Sequence, residues 1–261
     1  MNEVNKKLRR RIVEMISRSG EGHIPSSFSI VDIINCLYSD FLKVNPKDPN
    51  WSDRDYFVLS KGHGAAALFV VLEEKGFLSD ADIQSYGKFD SILGGHPDRT
   101  KVPGAEASTG SLGHGLSFAI GLALGQKIQK RPGKVVVLVG DGECHEGTVW
   151  EAALAAQNLG LTNLCCIVDY NHSSTQILPH PDLMGQWESF GWVTRSVDGH
   201  SDNDIKSAIK DFFTGETTKP LAIVANTTKG KGVSFLEGHG IWHHKIPNKT
   251  EFETIMSELS I

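Results

Sequence analysis

The stretch Val135–Ala153, VVVLVGDGECHEGTVWEAA, decides how the rest of the chain is read. An apolar run from Val135 to Val139 enters Gly140-Asp141-Gly142 directly, and apolar residues at helical spacing follow. A short continuous apolar run ending at glycine predicts a strand buried on both faces, with the next segment packed back on it as a helix. An acidic residue between two glycines at the mouth of such a strand calls for a physical reason.

Working outward, the same strand-then-helix unit recurs. KVVVLVG leads into a helix around Thr148 to Leu159, NLCCIVDY into PDLMGQWESF, and WVTRSVDG into SDNDIKSAIKDFF, while PLAIVANT supplies a further strand. Upstream, an amphipathic helix is expected over about Lys6 to Arg18, followed by a loop, SGEGHIPSS. A second helix is expected from near Ser29 through IVDIINCLYSDFL. YFVLS reads as a short strand, KGHGAAALFVVLEEKGF as a loop and helix, and SDADIQSYGKF as a short helix capped by Ser79. The Gly/Pro/His-rich SILGGHPDRTKVPGAEASTGSLGHG is a loop too long to be idle in a compact domain. In the helix after it, Gly115, Gly121 and Gly125 lower the helical propensity and predict close packing. KTEFETIMSELS is a terminal helix. Apolar strands alternating with helices predict an α/β fold: a mostly parallel, doubly wound sheet with helices on both faces, as one domain over residues 1–261.

Composition narrows the function. Hydrophobic residues make up 39% of the 261, enough for a sizeable core. The net charge is −5, and the one basic run, KKLRRR, alternates with Ile12, Val13 and Ile16 as a solvated helix face does, so nucleic acid is not an expected partner. No apolar run reaches membrane-spanning length and the amino terminus lacks a secretory apolar core, so a cytoplasmic protein without membrane contact is expected. Cys36, Cys144, Cys165 and Cys166 fit buried thiols, the last two pointing to opposite faces of one strand. Cys144 and His145 have no C-x-x-C partner spacing to support zinc.

Ligands of doubly wound sheets bind beyond the carboxyl ends of the strands. The segments there are Lys61-Gly62-His63-Gly64, Asp141-Gly142-Glu143, Tyr170-Asn171-His172-Ser173, and a tail with Lys229, Lys231 and several histidines. Glycines, one acid, one amide, lysines and histidines suit a phosphorylated ligand with a divalent metal. Asp141 and Asn171 are hard oxygen donors of the kind magnesium or calcium takes, and magnesium fills its shell with phosphate and water. Gly140 and Gly142 leave room for a diphosphate, and amides at the following helix start would add to its binding. On these residues alone, a plain turn at Gly-Asp-Gly and a cap at Asn171 are equally open. G-D-G-x-x-x-x-G differs from the dinucleotide fingerprint G-x-G-x-x-G, and neither a G-x-x-x-x-G-K-[ST] loop nor a G-x-S-x-G elbow is present.

GDGECHEG through DYN, with Asn171 thirty positions after Asp141, resembles the thiamine-diphosphate motif. SKGHGAAAL, GGHPDRTKVPGAEASTGSLGHGLSFAIGLAL and KGKGVSF…WHHKIP extend the likeness from about Ile12 to Pro247, and together they resemble the amino-terminal, diphosphate-binding domain of transketolase. The resemblance implies thiamine diphosphate with Mg2+ or Ca2+, the metal held by Asp141, the Asn171 side chain and the Ser173 carbonyl. It implies that His63 binds the diphosphate, that Gly110 and Leu112 lie against the cofactor, and that Gly140 and Gly142 allow its close approach. Glu146 matches the glutamate that links cofactor sites across the subunit interface. His23 and His96 match histidines that contact sugar hydroxyls and assist proton transfer. For the histidine after KGKG, which joins both the catalytic and the cofactor-binding sets, His239, His243 and His244 compete, and His243 is the choice. Two departures stand out: Gly22-His23-Ile24-Pro25 where the family has Gly-His-Pro-Gly, and His244 in place of a glycine.

The activity implied is transfer of a two-carbon ketol unit from a ketose, or ketose phosphate, to an aldose. In the family the acid on the pyrimidine ring, its aromatic cradle and the arginines for sugar phosphate lie in a second domain, which this chain is too short to hold. The expectation is a split transketolase: a partner subunit carries the pyrimidine-binding domain, in an α2β2 assembly. The alternatives are an α-type subunit of another two-subunit thiamine enzyme (a 2-oxo-acid dehydrogenase, or one like deoxyxylulose-phosphate synthase) and a non-catalytic regulatory module that keeps the cofactor fold.

Overall fold

The computed structural model describes residues 1–175 and 177–260. The first helix, α1 (Glu3–Ser19), is capped by the Asn2 side chain and ends at Gly20 in the left-handed conformation, φ 76°. The loop expected at SGEGHIPSS holds a short helix, α2 (Ile24–Phe28), with Pro25 in its first turn, where a missing N–H costs no bond. Consequently α3 (Val31–Asp40) starts at Val31 rather than near Ser29, which closes α2 instead. Strand β1 (Tyr56–Leu59) leads through a tight turn into α4 (Ala65–Glu74), and α5 (Asp80–Ser85) is capped by Ser79 as expected. After a long segment without regular structure come α6 (His114–Ile128), β2 (Val135–Gly140), α7 (Gly147–Asn158) and β3 (Leu164–Tyr170). The chain closes with α8 (Leu183–Ser189), β4 (Val193–Asp198), α9 (Asp202–Thr214), β5 (Leu221–Asn226) and α10 (Lys249–Glu258).

The strands form one parallel sheet in the order β1-β2-β3-β5-β4. Side chains alternate across it. Val136, Leu138, Cys165 and Ile167 enter a core built with α1, α3, α4 and α9. Their neighbours Val137, Val139, Cys166 and Val168 enter a second core built with α6, α7 and α8. This is the expected α/β sheet covered on both faces, and it accounts for the unbroken apolar runs.

The order reverses between β3 and β5. The connection through α8 skips a place outward, and the one through α9 returns on the opposite face. Chain leaving β3 passes to the face of α8, while chain leaving β5 passes to the opposite face, where Val233, Leu236 and Ile255 join the first core, and a crevice opens at the carboxyl ends of these strands.

Of the α6 glycines, only Gly115 is required by packing within the chain. A Cβ there would lie 2.3 Å from the Ser60 Cβ, whereas one at Gly121 would meet nothing within 4 Å and one at Gly125 only the Gln129 side chain at 4.0 Å. The close packing expected at all three holds at Gly115 alone; the other two turn away from the sheet. Among the described residues, no helix is long and apolar enough to cross a membrane.

Candidate active site

Four strand ends meet at one cleft. After β1, Lys61 turns inward and is 2% exposed. Its Nζ donates to the Ser26 carbonyl at 2.9 Å, the Ser29 hydroxyl at 3.0 Å and Asp169 Oδ2 at 2.5 Å. Gly62 makes the turn possible, since a Cβ would stand 2.9 Å from both His96 and the Thr109 backbone. His63 then faces the cleft. Burial, with the positive Lys61 nearby, pushes its imidazole down to about 2.

After β2, Asp141 opens a tight 3-10 turn, Asp141–His145. Its Oδ1 accepts the Gly142 N–H at 2.8 Å and its Oδ2 the Ser174 N–H at 3.3 Å. Glu143 is buried and acts as a brace: Oε1 accepts from the Ser60 hydroxyl at 2.6 Å and the Gly113 N–H at 2.9 Å, and Oε2 accepts the Gly140 N–H at 2.8 Å. Burial raises its pKa, and these donors oppose the rise. Glu143 thus occupies the amides of Gly113 and Gly140, while α7, with the first-turn amides expected to meet a phosphate, begins only at Gly147 and places none of that turn in the cleft lining.

After β3, the Asn171 Nδ2 donates to Asp169 Oδ2 at 2.8 Å, and its Oδ1 accepts the Ser173 N–H at 2.9 Å. Asp169 is fully buried and also accepts from Ser29, Lys61 and Thr227. Burial alone would raise its pKa, but the Lys61 ammonium and the hydroxyl donors more than reverse this and hold it below the usual carboxylate range. His172 takes a left-handed φ of 61°, unusual for a residue with a side chain, and turns the backbone so that Ser173 and Ser174 face Asp141. The Ser173 and Ser174 hydroxyls are buried and find no partner among the described residues.

After β5, the loop from Thr227 brings Lys229 to the cleft, where its Nζ donates to His243 Nδ1 at 2.8 Å. Burial and the charge of Lys61 push this lysine down to about 8. His23 Nδ1 donates to the His243 carbonyl at 2.8 Å, which leaves its Nε2 as an acceptor. The His23 ring stands 5.3 Å from His63, 5.1 Å from His243 and 4.7 Å from His244. His243 is pushed down to about 4, by burial and then by Lys229.

The cavity so formed is about 410 Å³. Asp141, Asn171 and Ser173 line it, together with Gly140 and Gly142. So do His23, His63, His243 and Leu112. Of the competing tail histidines, His243 lines the cavity, His244 packs on His23, and His239 is exposed outside the lining. His96, Gly110 and Glu146 do not line it. His96 is exposed and lies over Gly110, where a Cβ would stand 3.1 Å from its ring, and Glu146 is exposed at the start of α7.

Lys61, Glu143 and Asp169 are site residues that the sequence does not single out. Asp169 carries a signal, an acid inside the apolar run LCCIVD. Lys61 and Glu143 sit inside quoted motifs, but only the fold shows that both turn inward.

The donor set is hard: a carboxylate, an amide oxygen held outward by Asp169, and the backbone after it. Among the described residues there is no cluster of three His, Cys, Asp or Glu side chains suited to a metal. The set thus fits a cation whose remaining shell comes from ligand and water. A Cβ at Gly140 or Gly142 would meet protein atoms no closer than 3.8 Å, so the room beside them is cleft rather than packing. The residues fit a diphosphate with its cation.

Comparison with known proteins shows the family. Residues 1–255 match the family described as transketolase, thiamine diphosphate binding domain. The chain is 40% identical to one subunit of the apulose-4-phosphate transketolase of Phocaeicola vulgatus, over 98% of this chain and 92% of that protein. It is 35% identical to 6-deoxy-6-sulfo-D-fructose transketolase subunit SqwG of a Clostridium species, over 97% and 93% respectively. It superposes on Pichia stipitis transketolase in complex with sedoheptulose-7-phosphate with a TM-score of 0.90 at 29% identity, covering 99% of this chain but 41% of that one. The chain belongs to the transketolase family, as its thiamine-diphosphate-binding domain.

Proposed function

We propose that this chain is the diphosphate- and metal-binding subunit of a two-subunit transketolase, a transferase that moves a two-carbon ketol unit from a ketose to an aldose. The observation that carries the reading is the single cleft joining Asp141, Asn171 and Ser173 to His23, His63 and His243. In support, relatives whose names make them one subunit of a transketolase are matched over 92% and 94% of their length. Those names support a second subunit; in this reading it carries the pyrimidine-binding domain, in an α2β2 assembly. Four buried free thiols suit a reducing compartment such as the cytoplasm.

In this reading Asp141, the Asn171 side chain and the Ser173 carbonyl hold Mg2+, with Ca2+ as a substitute. His63, uncharged at working pH, meets the diphosphate as a neutral N–H donor, and Lys229 supplies positive charge. Thiamine diphosphate, when bound, supplies the carbon centre that carries the two-carbon unit. His23 offers its free Nε2 to sugar hydroxyls, with His96 at the rim and His243 beside it. Glu146 is the residue that meets another subunit in this reading, and its exposure outside the cleft supports this. The relatives' names contain a sugar phosphate and a sulfonated sugar, which supports a ketose with an anionic group at its far end.

The test combines the chain with a carboxy-terminal transketolase subunit, thiamine diphosphate and Mg2+, and follows ketol transfer from a ketose phosphate. Activity is expected only when both chains are present. Full turnover by the isolated chain would refute the two-subunit reading. Cofactor binding by the pair without turnover on any ketose would favour a regulatory module instead.

A further inference from the structure

We propose that His200 is a positioning residue for the diphosphate site, fixing the loop that presents Lys229. The proposal rests on the reading of Lys229 as a diphosphate contact.

The Thr228 N–H donates to His200 Nε2 at 2.8 Å. A backbone N–H can only donate, so Nε2 carries the lone pair and the ring proton sits on Nδ1. That Nδ1 donates to Asp32 Oδ2 at 2.6 Å. Asp32 is 2% exposed and held by both Nη groups of the fully buried Arg9, each at 2.7 Å. The Nε of Arg9 donates in turn to the Lys231 carbonyl at 2.8 Å. One buried carboxylate on α3 thus sets the tautomer of His200, and His200 holds the loop one residue before Lys229.

A second anchor lies beside the first. The Thr227 hydroxyl donates to Asp169, the carboxylate that also holds Lys61 and Asn171. Consecutive threonines are therefore tied to two separate buried carboxylates, and the chain leaves this clamp directly into Lys229. Gly199 makes the approach possible: a Cβ there would stand 2.4 Å from the Thr227 Cγ2 and 3.2 Å from the Ala225 Cβ. Asp198 Oδ1 accepts the His200 N–H at 2.8 Å and seats the ring. His200 itself does not line the cleft, so any effect on ligand passes through the loop.

The experiment titrates the chain, assembled with its carboxy-terminal partner subunit, with thiamine diphosphate and Mg2+, and separately with Mg2+ and inorganic pyrophosphate, by calorimetry. His200→Leu removes the acceptor and leaves the Thr228 N–H without its partner. The expected result is binding weakened about ten- to a hundredfold. His200→Gln, whose Oε1 reaches the Nε2 position, should restore affinity to within about twofold of wild type. In a Lys229→Met background, His200→Leu should change affinity by no more than about twofold, because the contact it positions is gone. Should His200→Leu not fold, His200→Asn, which reaches Asp32 but falls short of Thr228, enters the same comparison. Wild-type affinity in His200→Leu, or an undiminished loss in the Lys229→Met background, would overturn the positioning role alone. A wild-type chain that binds neither ligand would overturn the diphosphate reading, and this inference with it.

Discussion

The Asn171 side-chain amide donates to Asp169 across 2.8 Å, and this bond decides which end of the amide meets the cleft. Asp169 also faces the Lys61 ammonium at 2.5 Å, with both groups out of contact with water. Replacing Asp169 with Asn leaves a buried ammonium without its counter-charge and frees the Asn171 amide to turn over. A loss of about 3–5 kcal/mol of stability is expected, read from urea denaturation. Adding Lys61→Met to that variant should recover part of the loss. If the double variant is as unstable as the sum of the singles, the pair is not the source.

On the proposed reading, Asp141→Ala removes a direct metal donor. Losing even an outer partner of a metal ligand costs about 10–100-fold in affinity, so this change should exceed that range. Calorimetry with thiamine diphosphate at fixed Mg2+ checks it, and chelation of the metal from wild type should reproduce the loss. Unchanged affinity would remove Asp141 from the site.

With Lys229 as the proposed diphosphate contact, binding is expected to depend on pH. In the free protein it loses its proton near pH 8, below the ordinary lysine value. A diphosphate favours the charged form, so binding takes up a proton above that pH. Affinity should fall as pH rises through about 8, by up to about tenfold per unit. Lys229→Met should bind more weakly and show a flat profile over the same range; an unchanged slope would assign the effect elsewhere.

Stability of the ligand-free chain has its own pH dependence. His63 and His243 have folded values pushed down to about 2 and about 4, below the ordinary value of 6.5. As pH falls below 6.5 the unfolded chain takes up protons that the folded chain refuses. Their contribution is present above pH 6.5 and is lost as pH drops toward the folded values. The thermal midpoint should therefore fall between pH 6.5 and 4.5, and less steeply in His63→Leu.

Two glycines of one helix should respond oppositely to alanine. Gly115→Ala drives a Cβ to 2.3 Å from Ser60 and should destabilise by about 1–3 kcal/mol. Gly121→Ala meets nothing and should stabilise the isolated chain by about 0.5–1 kcal/mol through helical propensity. Paired thermal melts decide; a loss at both positions would mean that Gly121 has a packing role after all.

Much of the fold and of the site is legible in the residues alone. The runs at Val135 and Leu164 announce parallel strands because burial on both faces removes alternation. Asp141 and Asn171 stand at neighbouring strand ends in the sequence and line one cleft in the fold; on the residues alone a turn and a cap are equally open. What is not legible depends on where chain remote in sequence returns. Helix α2 hides in a Gly/Pro-rich segment because Pro25 reads as a breaker until its place in the first turn is known. Gly121 and Gly115 read alike because spacing does not say which faces Ser60. His200 carries no signal, since the role proposed for it comes from its bond to Asp32, 168 positions away in sequence. Glu143 reads as part of a ligand-facing loop, yet its carboxylate occupies the amides of Gly113 and Gly140.

Cys165 and Cys166 are chain neighbours that enter different cores on opposite faces of the sheet, and neither thiol reaches solvent. Each thiol can be alkylated only when its own layer of helices lifts away. Timed labelling, read by mass at each of the two cysteines, therefore reports separately on how often either side of the molecule opens, without adding a probe to the chain.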